Sequence, residues 1–299
     1  MTFKEYPHIE NAEHEKSMAL FLEQYPEMKD VWWTVEEKIN GSNMQINISP
    51  QGDVELCSRG RVLPADDDHY GFKVFIKERF NNAIDVLKGY AKGLNINLRV
   101  YGEYFGPKIC KGVDYGKERR FIIFGMMRDE EYVTPEVLYE TLAKLGLGEV
   151  CIRNVAIVSY ASAMKFDTKF PSLYSPSNDL CEGVVIKPFK NIYLGKDGKA
   201  IYIKIKNEQF KDKQRAPSEK IQGEAAAGIL LPYLNENRIQ SYYSKFGIIK
   251  SKAQIGEYIK GISADIIADW QSENGDLELD AKERSVLGPL IVKFLMKDL

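Results

Sequence analysis

The chain has 299 residues, of which 44% are hydrophobic and 28% are charged. This is the composition of a soluble globular protein with a hydrophobic core, and it excludes collagen-like, disordered and disulfide-scaffold proteins. The formal net charge is −2, so a nucleic-acid site must come from a local concentration of basic residues.

The cysteines, histidines and apolar stretches exclude several further classes. The four cysteines are scattered without a C-x-x-C pair, which predicts reduced thiols of the cytoplasm and neither disulfides nor a zinc site. With only three histidines, catalysis is expected to depend on Lys, Arg, Asp and Glu. A membrane span needs about 20 apolar residues, whereas the stretch Phe121 to Met127 has seven, so we expect no membrane partner.

Short strands are predicted over most of the chain up to Phe210, with two helices between them. Apolar residues at helical spacing predict one helix from Phe72 to Tyr90, and Pro135 begins a second helix that ends at Leu145. A hairpin is predicted over Asn43–Ser58, with its turn at Pro50–Asp53. The other predicted strands are Val31–Glu37, Ile96–Phe105, Arg120–Met127, Val155–Tyr160, Gly183–Lys187 and Ala200–Ile205.

The character of the sequence changes after Lys211. The polar segment Lys211–Ser218 contains a proline and is predicted to be a linker. Beyond it apolar residues repeat at helical spacing, and Ser251 with Gln254 forms a capping box at a helix start. The predicted helices are Ile221–Leu234, Arg238–Phe246, Ser251–Ile262 and Ala281–Leu295. We therefore predict an α+β domain over residues 1–215, followed by a small all-α domain over residues 220–299.

Three charged segments stand out within the first domain. Lys38 follows a predicted strand and lies shortly before a glycine, and Glu182 and Lys187 frame an apolar strand. Lys204 and Lys206 are two residues apart, so a strand presents both on one face. Each segment alone is typical of an exposed turn or a solvated strand.

Together these segments suit nucleophilic attack on phosphorus. A lysine amine attacks phosphorus only in its neutral form, and cations held nearby favour that form. Lys204 and Lys206 would act in this way on Lys38 and would also neutralise the phosphates under attack. A carboxylate such as Glu182 would hold a divalent metal ion, because hard cations prefer oxygen ligands.

The sequence resembles the covalent nucleotidyltransferases, the superfamily of polynucleotide ligases and mRNA capping enzymes. Within it, the chain resembles the second bacteriophage-type RNA ligase family, which includes nick-sealing phage ligases and the RNA-editing ligases of trypanosomes. The resemblance runs almost from end to end through motifs in a shared order. They are Phe3–Tyr6, Ile9–Asn11, Glu37–Asn43, Cys57–Arg59, Leu63–Ala65, Tyr101–Pro107, Lys111 with Val113–Tyr115, Phe121–Phe124, Glu182–Pro188, Lys204–Asn207 with Phe210, and Tyr233–Ile239 with Ser244–Gly247.

The resemblance implies a nucleotidyltransferase domain with an ATP-grasp-like antiparallel sheet, and an RNA ligase that uses ATP with Mg²⁺ or Mn²⁺. Lys38 would attack the α-phosphorus of ATP, expel pyrophosphate and become lysyl-adenylate. AMP would then pass to the 5′-phosphate of an RNA strand, and a 3′-hydroxyl would attack that end and release AMP. Glu182 would organise the metal, and Lys204 and Lys206 would bind the phosphates.

The same resemblance implies a nucleotide-binding role for further residues. Arg59 would contact a phosphate, Glu103 would contact the ribose or orient the nucleophile, and Phe124 would stack on the adenine. The complete set expected to bind the nucleotide is Glu37, Lys38, Asn40, Asn43, Arg59, Glu103, Phe124, Glu182, Lys187, Lys204 and Lys206.

Some of these assignments stay open. Arg61 is an alternative to Arg59 as the phosphate-binding arginine, because the segment before Leu63–Pro64 is one residue shorter than expected for the phage ligases. Phe124 lies in an apolar run, where an aromatic residue is more often part of the core. Asn40 stands where related ligases carry histidine or aspartate, and Gly125 stands where an acidic residue is expected.

The position of Lys187 relative to Glu182 is also open. The two residues are five apart, so an unbroken strand would place them on opposite faces of a sheet. Gly183 can relax this constraint, because glycine adopts conformations that other residues avoid.

Basic residues are concentrated around the paired lysines. Between Lys187 and Arg215 nine Lys or Arg residues face three Asp or Glu residues, a net charge of +6 that leaves −8 elsewhere. RNA phosphates are expected to lie here. The resemblance implies that the helical tail helps to hold nicked duplex ends, and a small packing domain is the alternative. We expect a cytoplasmic monomer (in the host cytoplasm for a viral protein) that acts on nicks in duplex RNA or RNA–DNA hybrids.

Three other functions compete with this prediction. A capping-type guanylyltransferase shares the lysine chemistry, but Asn40 and the helical tail disfavour it. A non-catalytic RNA-binding protein on a ligase scaffold would need no nucleophile, and the retained lysine and glutamate motifs disfavour that alternative. A DNA ligase is the third and weakest alternative.

Overall fold

The computed structural model describes residues 1–109, 112–210, 230–274, 285 and 287–299. Its contacts divide the chain into two compact units, Met1–Phe210 and Lys211–Leu299. The predicted linker at Lys211–Ser218, and with it the predicted domain limits at residues 215 and 220, lies outside the described residues.

The first unit contains ten strands among its described residues. In chain order they are β1 (Ile9–Asn11), β2 (Trp32–Glu37), β3 (Ser42–Ile48), β4 (Val54–Ser58), β5 (Leu98–Phe105), β6 (Arg120–Arg128), β7 (Glu131–Tyr132), β8 (Asn154–Ser159), β9 (Gly183–Pro188) and β10 (Tyr202–Lys206). Every strand predicted from the sequence is present within a few residues of its predicted limits. The short strands β1 and β7 were not predicted.

These strands form two five-stranded sheets. Sheet A has the order β1-β10-β9-β2-β8, and sheet B has the order β4-β3-β5-β6-β7. All neighbouring strands are antiparallel except β1 and β10, which are parallel. The prediction of an antiparallel α+β domain is therefore confirmed.

Five helices accompany the sheets in the described part of this unit. They are α1 (Glu15–Gln24), α2 (Phe72–Arg79), α3 (Asn81–Leu94), α4 (Pro135–Lys144) and α5 (Tyr160–Ala163). Pro135 occupies the first turn of α4, as predicted, and the Thr134 side chain caps it.

The prediction of one helix from Phe72 to Tyr90 is wrong, because α2 and α3 are separate helices. The backbone leaves helical geometry at Phe80, which has φ −118° and ψ 4°. The apolar spacing continues through this break because the Phe80 side chain is buried against Phe75 and Phe121. Periodicity therefore cannot reveal the break.

Hydrophobic side chains form a core on each sheet and a third cluster between the two sheets. The third cluster joins Tyr101 and Met127 of sheet B to Val185 and Tyr202 of sheet A, and Tyr6 from the N-terminal segment completes it. The described cysteines, Cys57, Cys151 and Cys181, are buried free thiols, and burial raises the pKa of each to about 12.

The described part of the second unit is helical. It contains α6 (Glu236–Phe246), α7 (Ile255–Asn274) and α8 (Leu287–Leu295). The Gln254 side chain accepts a hydrogen bond from the Ser251 backbone N–H at 3.2 Å, as the capping box predicts. The helix predicted over Ser251–Ile262 is present as a short 3-10 helix, Lys252–Gln254, followed by α7, which continues to Asn274. Most of the predicted helix Ile221–Leu234 and the first part of Ala281–Leu295 lie outside the described residues. Within the described ranges, no helix is long and apolar enough to cross a membrane.

Candidate active site

Lys38 lies at the end of β2, where this strand runs beside β9. Its backbone N–H donates to the Gly183 carbonyl at 2.9 Å and continues the pairing of the two strands. Its side-chain Nζ lies 2.7 Å from Oε2 of Glu182. The lysine and glutamate motifs, which are 144 residues apart in the sequence, therefore meet in one ion pair.

Gly183 makes this pair possible. It has a φ of +151°, and a Cβ atom at this position would lie 2.1 Å from the Ile205 carbonyl oxygen. The strand therefore begins with a conformation that only glycine accommodates next to β10. Glu182, immediately before Gly183, reaches Lys38, whereas Lys187, in the regular part of β9, pairs with Glu36.

Three cationic side chains lie around the ion pair. Lys204 and Lys206 come from β10, and Arg59 follows β4. Burial and the positive charges of Lys38, Lys206 and Arg59 together lower the pKa of Lys204 to about 8, although Glu10 opposes this shift. Neither Lys204 nor Arg59 has a hydrogen bond or ion pair from its side chain to the described part of the chain, so both are available to an anion.

Sheet B contributes a second carboxylate, that of Glu103 on β5. The pKa of Glu103 is raised to about 8, mainly by burial and also by the charge of Glu182, although Lys38 and Arg59 oppose the rise. The residue opposite Glu103 on β3 is Asn43, whose buried Oδ1 has no hydrogen-bond partner among the described residues. The site thus brings the lysines of β10 in sheet A together with side-chain oxygen atoms of β3 and β5 in sheet B.

Glu103 and Glu182 fit a divalent metal ion. The charge of Glu182 acts on the Glu103 carboxyl, and carboxylate oxygens suit hard cations such as Mg²⁺ or Mn²⁺. Among the described residues no group of three or more His, Cys, Asp or Glu side chains could hold a metal. Phosphate oxygens and water commonly complete the coordination of Mg²⁺.

The two candidate arginines occupy different environments. Arg61 is ion-paired with Asp67, whereas the charge of Arg59 acts on both Glu103 and Lys204. The structure thus brings Arg59, and not Arg61, into the group around Lys38.

Phe124 lies on β6 with its ring half-buried. The edge of the Tyr6 ring packs against it, with the ring centroids 4.9 Å apart. Lys187 is buried beneath it, 2% exposed, and its Nζ lies 2.5 Å from Oε2 of Glu36. Lys187 therefore belongs to the surroundings of Phe124 and not to the group around Lys38.

Glu37 and Asn40 are held by contacts away from the Lys38 side chain. Oε2 of Glu37 accepts a hydrogen bond from the Leu173 backbone N–H at 2.6 Å, and Oε1 accepts one from the Ser172 hydroxyl. Burial raises the pKa of Glu37, and these hydrogen bonds partly oppose the rise. The Asn40 backbone N–H donates to the Tyr115 hydroxyl at 2.8 Å.

Several residues that support the site were not predicted from the sequence. No sequence motif marks Glu36, Tyr139 or Ser172. For Glu36 the available signal was a charged residue within the apolar strand β2. Tyr115 lies in a segment that the resemblance includes, but without an assigned role.

Comparison with known proteins now identifies the family. The model of the RNA ligase family matches residues 32–206, from the start of β2 to the end of β10. The chain belongs to the RNA ligase family. The match contains Lys38, Glu182, Lys204 and Lys206, so the ion pair and these two lysines lie in the part of the chain that the family model matches. The model of the T4 RNA ligase 2 C-terminal region matches residues 217–288.

Solved RNA ligase structures share this fold. Two mutants of the Naegleria gruberi RNA ligase, both solved with ATP and Mn, match with TM-scores of 0.52 and 0.53 and sequence identities of 22%. A further mutant of the same protein, solved with AMP and Mn, matches with a TM-score of 0.52 and 21% identity. Each match covers 70% of this chain and 58% of the Naegleria chain, so the chain spans less than two thirds of the Naegleria protein. At this identity the comparison establishes the fold alone.

Proposed function

We propose that this protein is an ATP-dependent RNA ligase that joins 3′-hydroxyl and 5′-phosphate ends. The observation that carries the proposal is the Lys38–Glu182 ion pair at 2.7 Å with Lys204, Lys206 and Arg59 around it. Membership of the RNA ligase family supports the choice of RNA as substrate, and the Naegleria ligase structures with ATP support the choice of nucleotide.

The first reaction forms a covalent lysyl-adenylate. The Lys38 amine attacks the α-phosphorus of ATP, an N–P bond forms, and the bond to the leaving pyrophosphate breaks. Lys38 must lose a proton to react, and the Glu182 carboxylate is the acceptor in contact with it. Glu182 thereby both orients the amine and removes its proton.

The cations around Lys38 support binding of the triphosphate. Phosphoryl transfer depends mainly on positioning and on stabilising negative charge, and the side chains of Lys204 and Arg59 form no ion pair within the described part of the chain. Glu182 and Glu103 would hold Mg²⁺ or Mn²⁺, which when bound adds positive charge next to the phosphates. The half-buried ring of Phe124 would stack on the adenine.

The two later reactions transfer AMP to RNA and seal the break. The 5′-phosphate of an RNA strand attacks the lysyl-adenylate and frees the Lys38 amine. The 3′-hydroxyl of the other strand then attacks the activated phosphate, and AMP leaves. The basic residues between Lys187 and Phe210 support an RNA site beside Lys204 and Lys206.

We further propose that nicks in duplex RNA or RNA–DNA hybrids are the preferred substrates. The match of residues 217–288 to the C-terminal region of T4 RNA ligase 2 supports this choice over single-stranded ends.

The test combines adenylation with sealing. The protein is incubated with Mg²⁺ and ATP or GTP carrying a labelled α-phosphate, and the label bound to protein is measured. Sealing of nicked duplex RNA, single-stranded RNA and nicked DNA is then compared with ATP. We expect labelling by ATP only and fastest sealing of nicked RNA. Labelling by GTP alone would favour a capping-type enzyme, and absence of any labelling would refute the proposed chemistry.

A further inference from the structure

Phe124 is the extra residue of a β-bulge. Along β5 and β6, Tyr101 pairs with Gly125 and the next residue, Gly102, pairs with Ile123. The register therefore skips Phe124, which has no partner on β5. Bulges of this kind occur beside active sites, where they redirect a side chain.

The ammonium group of Lys187 binds the backbone at this bulge. Its Nζ donates to the Phe124 carbonyl oxygen at 2.8 Å and lies 5.5 Å from the centre of the Phe124 ring. Backbone carbonyls in a protein interior need hydrogen-bond donors, and Lys187 supplies one to Phe124 from sheet A. One side chain thus connects β9 to the backbone that carries the ring.

Lys187 is itself held by a fully hydrogen-bonded carboxylate. Oε2 of Glu36 pairs with Lys187, and Oε1 accepts a hydrogen bond from the Tyr139 hydroxyl at 2.7 Å. Tyr139 also lies 3.1 Å from the Thr34 hydroxyl. A buried ion pair adds little net stability compared with apolar residues of similar size, so the geometry that this pair imposes is its main contribution.

The Tyr6 ring also packs against the Phe124 ring at the bulge. A Cβ atom at position 125 would lie 2.8 Å from the Tyr6 ring, so Gly125 allows this ring to pack against Phe124. The Phe124 ring is therefore constrained by an aromatic contact and by the hydrogen bond to its own carbonyl.

We infer that Lys187 is a positioning residue, which fixes the Phe124 ring for the adenine base by binding the bulged carbonyl. This inference rests on the proposed function. It differs from the expectation that Lys187 binds the nucleotide itself, because its ammonium group is enclosed by Glu36, the Phe124 carbonyl and the rings of Phe124 and Tyr202.

A double-mutant cycle between Lys187 and Phe124 tests the inference. The measured quantities are the half-saturating ATP concentration and the maximal rate of lysyl-adenylate formation for the wild type, Lys187→Met, Phe124→Leu and the double variant. We expect Lys187→Met to raise the half-saturating ATP concentration about tenfold while the maximal rate changes less than about threefold. In the Phe124→Leu background the same substitution should add less than about twofold. Effects that multiply in the double variant would overturn the inference.

Two further variants separate positioning from stability. Arg128→Met, on the same strand as Phe124, removes a hydrogen bond of 2.8 Å to the Thr141 hydroxyl, but Arg128 is not among the residues assigned to ATP or to the Lys187–Glu36 pair. It should therefore lower the free energy of unfolding and leave the half-saturating ATP concentration unchanged. Lys187→Arg keeps a charged donor and should recover most of the affinity for ATP. An arginine variant as weak as Lys187→Met would contradict the proposed hydrogen bond.

Folding of Lys187→Met is the remaining difficulty, since it leaves Glu36 buried without its cation. If this variant does not fold, the apolar double replacement Glu36→Leu with Lys187→Met takes its place in the cycle, because replacing both partners removes the unpaired charge. Wild-type affinity for ATP in that protein would overturn the inference. Failure of the wild type to form any adenylate would overturn the proposed function as well, so the two failures are distinguishable.

Discussion

At the scale of single residues, the site combines a lysine–glutamate ion pair with cations that have few partners. Lys38 is bound to Glu182 at 2.7 Å, whereas Lys204 is half-buried among positive charges, and its pKa is lowered to about 8. A second lysine with a lowered pKa therefore lies close to Lys38.

Lys38→Ala should reduce covalent AMP labelling by about 10³-fold or more, because the phosphoramidate needs a lysine amine at this position. Lys38→Arg should fail equally, since a guanidinium stays protonated. Lys204→Ala is the matched comparison and should retain slow labelling, because it removes phosphate binding but not the nucleophile. The measurement is label on protein after incubation with labelled ATP. Substantial label in Lys38→Ala that disappears in a Lys38→Ala and Lys204→Ala double variant would reassign the nucleophile.

His69 makes the stability of the protein depend on pH. Its Nε2 lies 2.9 Å from the Ser42 hydroxyl, and burial lowers its pKa from 6.5 to about 4. Between these values the unfolded chain binds a proton that the folded chain does not, so acidification favours unfolding. The contribution of His69 to stability is therefore present above pH 6.5 and is lost as the pH falls towards 4.

His69→Gln should reduce the loss of stability on acidification from pH 6.5 to pH 4.5. The wild type is expected to lose up to about 1.4 kcal/mol per pH unit through this residue, and the variant lacks the titrating group. Urea unfolding of both proteins at several pH values measures the difference. Parallel pH profiles for the two proteins would show that His69 does not titrate as described.

At the scale of secondary structure, the start of β9 determines how the two sheets supply one site. The strand begins at Gly183, which pairs with β10. The residue before it, Glu182, lies next to Lys38 at the end of β2. The regular part of β9 delivers Lys187 to β6. The charged residues at the two ends of β9 therefore have different contacts, since Glu182 binds Lys38 and Lys187 binds the Phe124 carbonyl.

Gly183→Ala should therefore destabilise the protein by about 3 kcal/mol or more, because the new Cβ would clash with the Ile205 carbonyl in a conformation that disfavours side chains. It should also weaken adenylation by moving Glu182 from Lys38. Gly89→Ala is a control within α3, where a Cβ meets nothing within 4 Å, and should stabilise by about 0.5–1 kcal/mol. Thermal unfolding measures both changes. Equal stability of the two variants would contradict the strain at position 183.

At the scale of the whole molecule, we expect the two compact units to have different functions, ATP chemistry in the first and RNA binding in the second. Every residue assigned to ATP lies within Met1–Phe210, which has its own hydrophobic cores. The second unit has a separate core around Ile262, Ile266 and Ile291.

A chain truncated at Arg215 should still form lysyl-adenylate within about threefold of the full-length rate, since the whole site remains. It should bind nicked duplex RNA at least about tenfold more weakly, because it loses the contacts proposed for the second unit. Adenylation and gel-shift binding are measured on the same preparation, and circular dichroism verifies its folding. Nick binding and sealing equal to those of the full chain would refute the role of the tail but not the ligase chemistry.

The sequence by itself determined the features that depend on neighbouring residues. Alternating apolar residues marked the strands, helical spacing marked the tail, and the separation of Lys204 from Lys206 put both on one face of β10. The order of the motifs also indicated the family. These signals are local, because strand alternation, helical spacing and turn residues are properties of short stretches of chain.

Only the tertiary structure decided which of these residues meet. Nothing near Lys187 in the sequence indicates that it binds Glu36 and the Phe124 carbonyl, and nothing near Glu37 indicates that it faces Ser172. Even Arg59 and Arg61, two residues apart, separate into different environments. Such contacts depend on the order and register of strands from distant parts of the chain, and a one-residue bulge at Phe124 changes them. Local sequence cannot encode these choices alone, because register is set by the packing of the whole sheet.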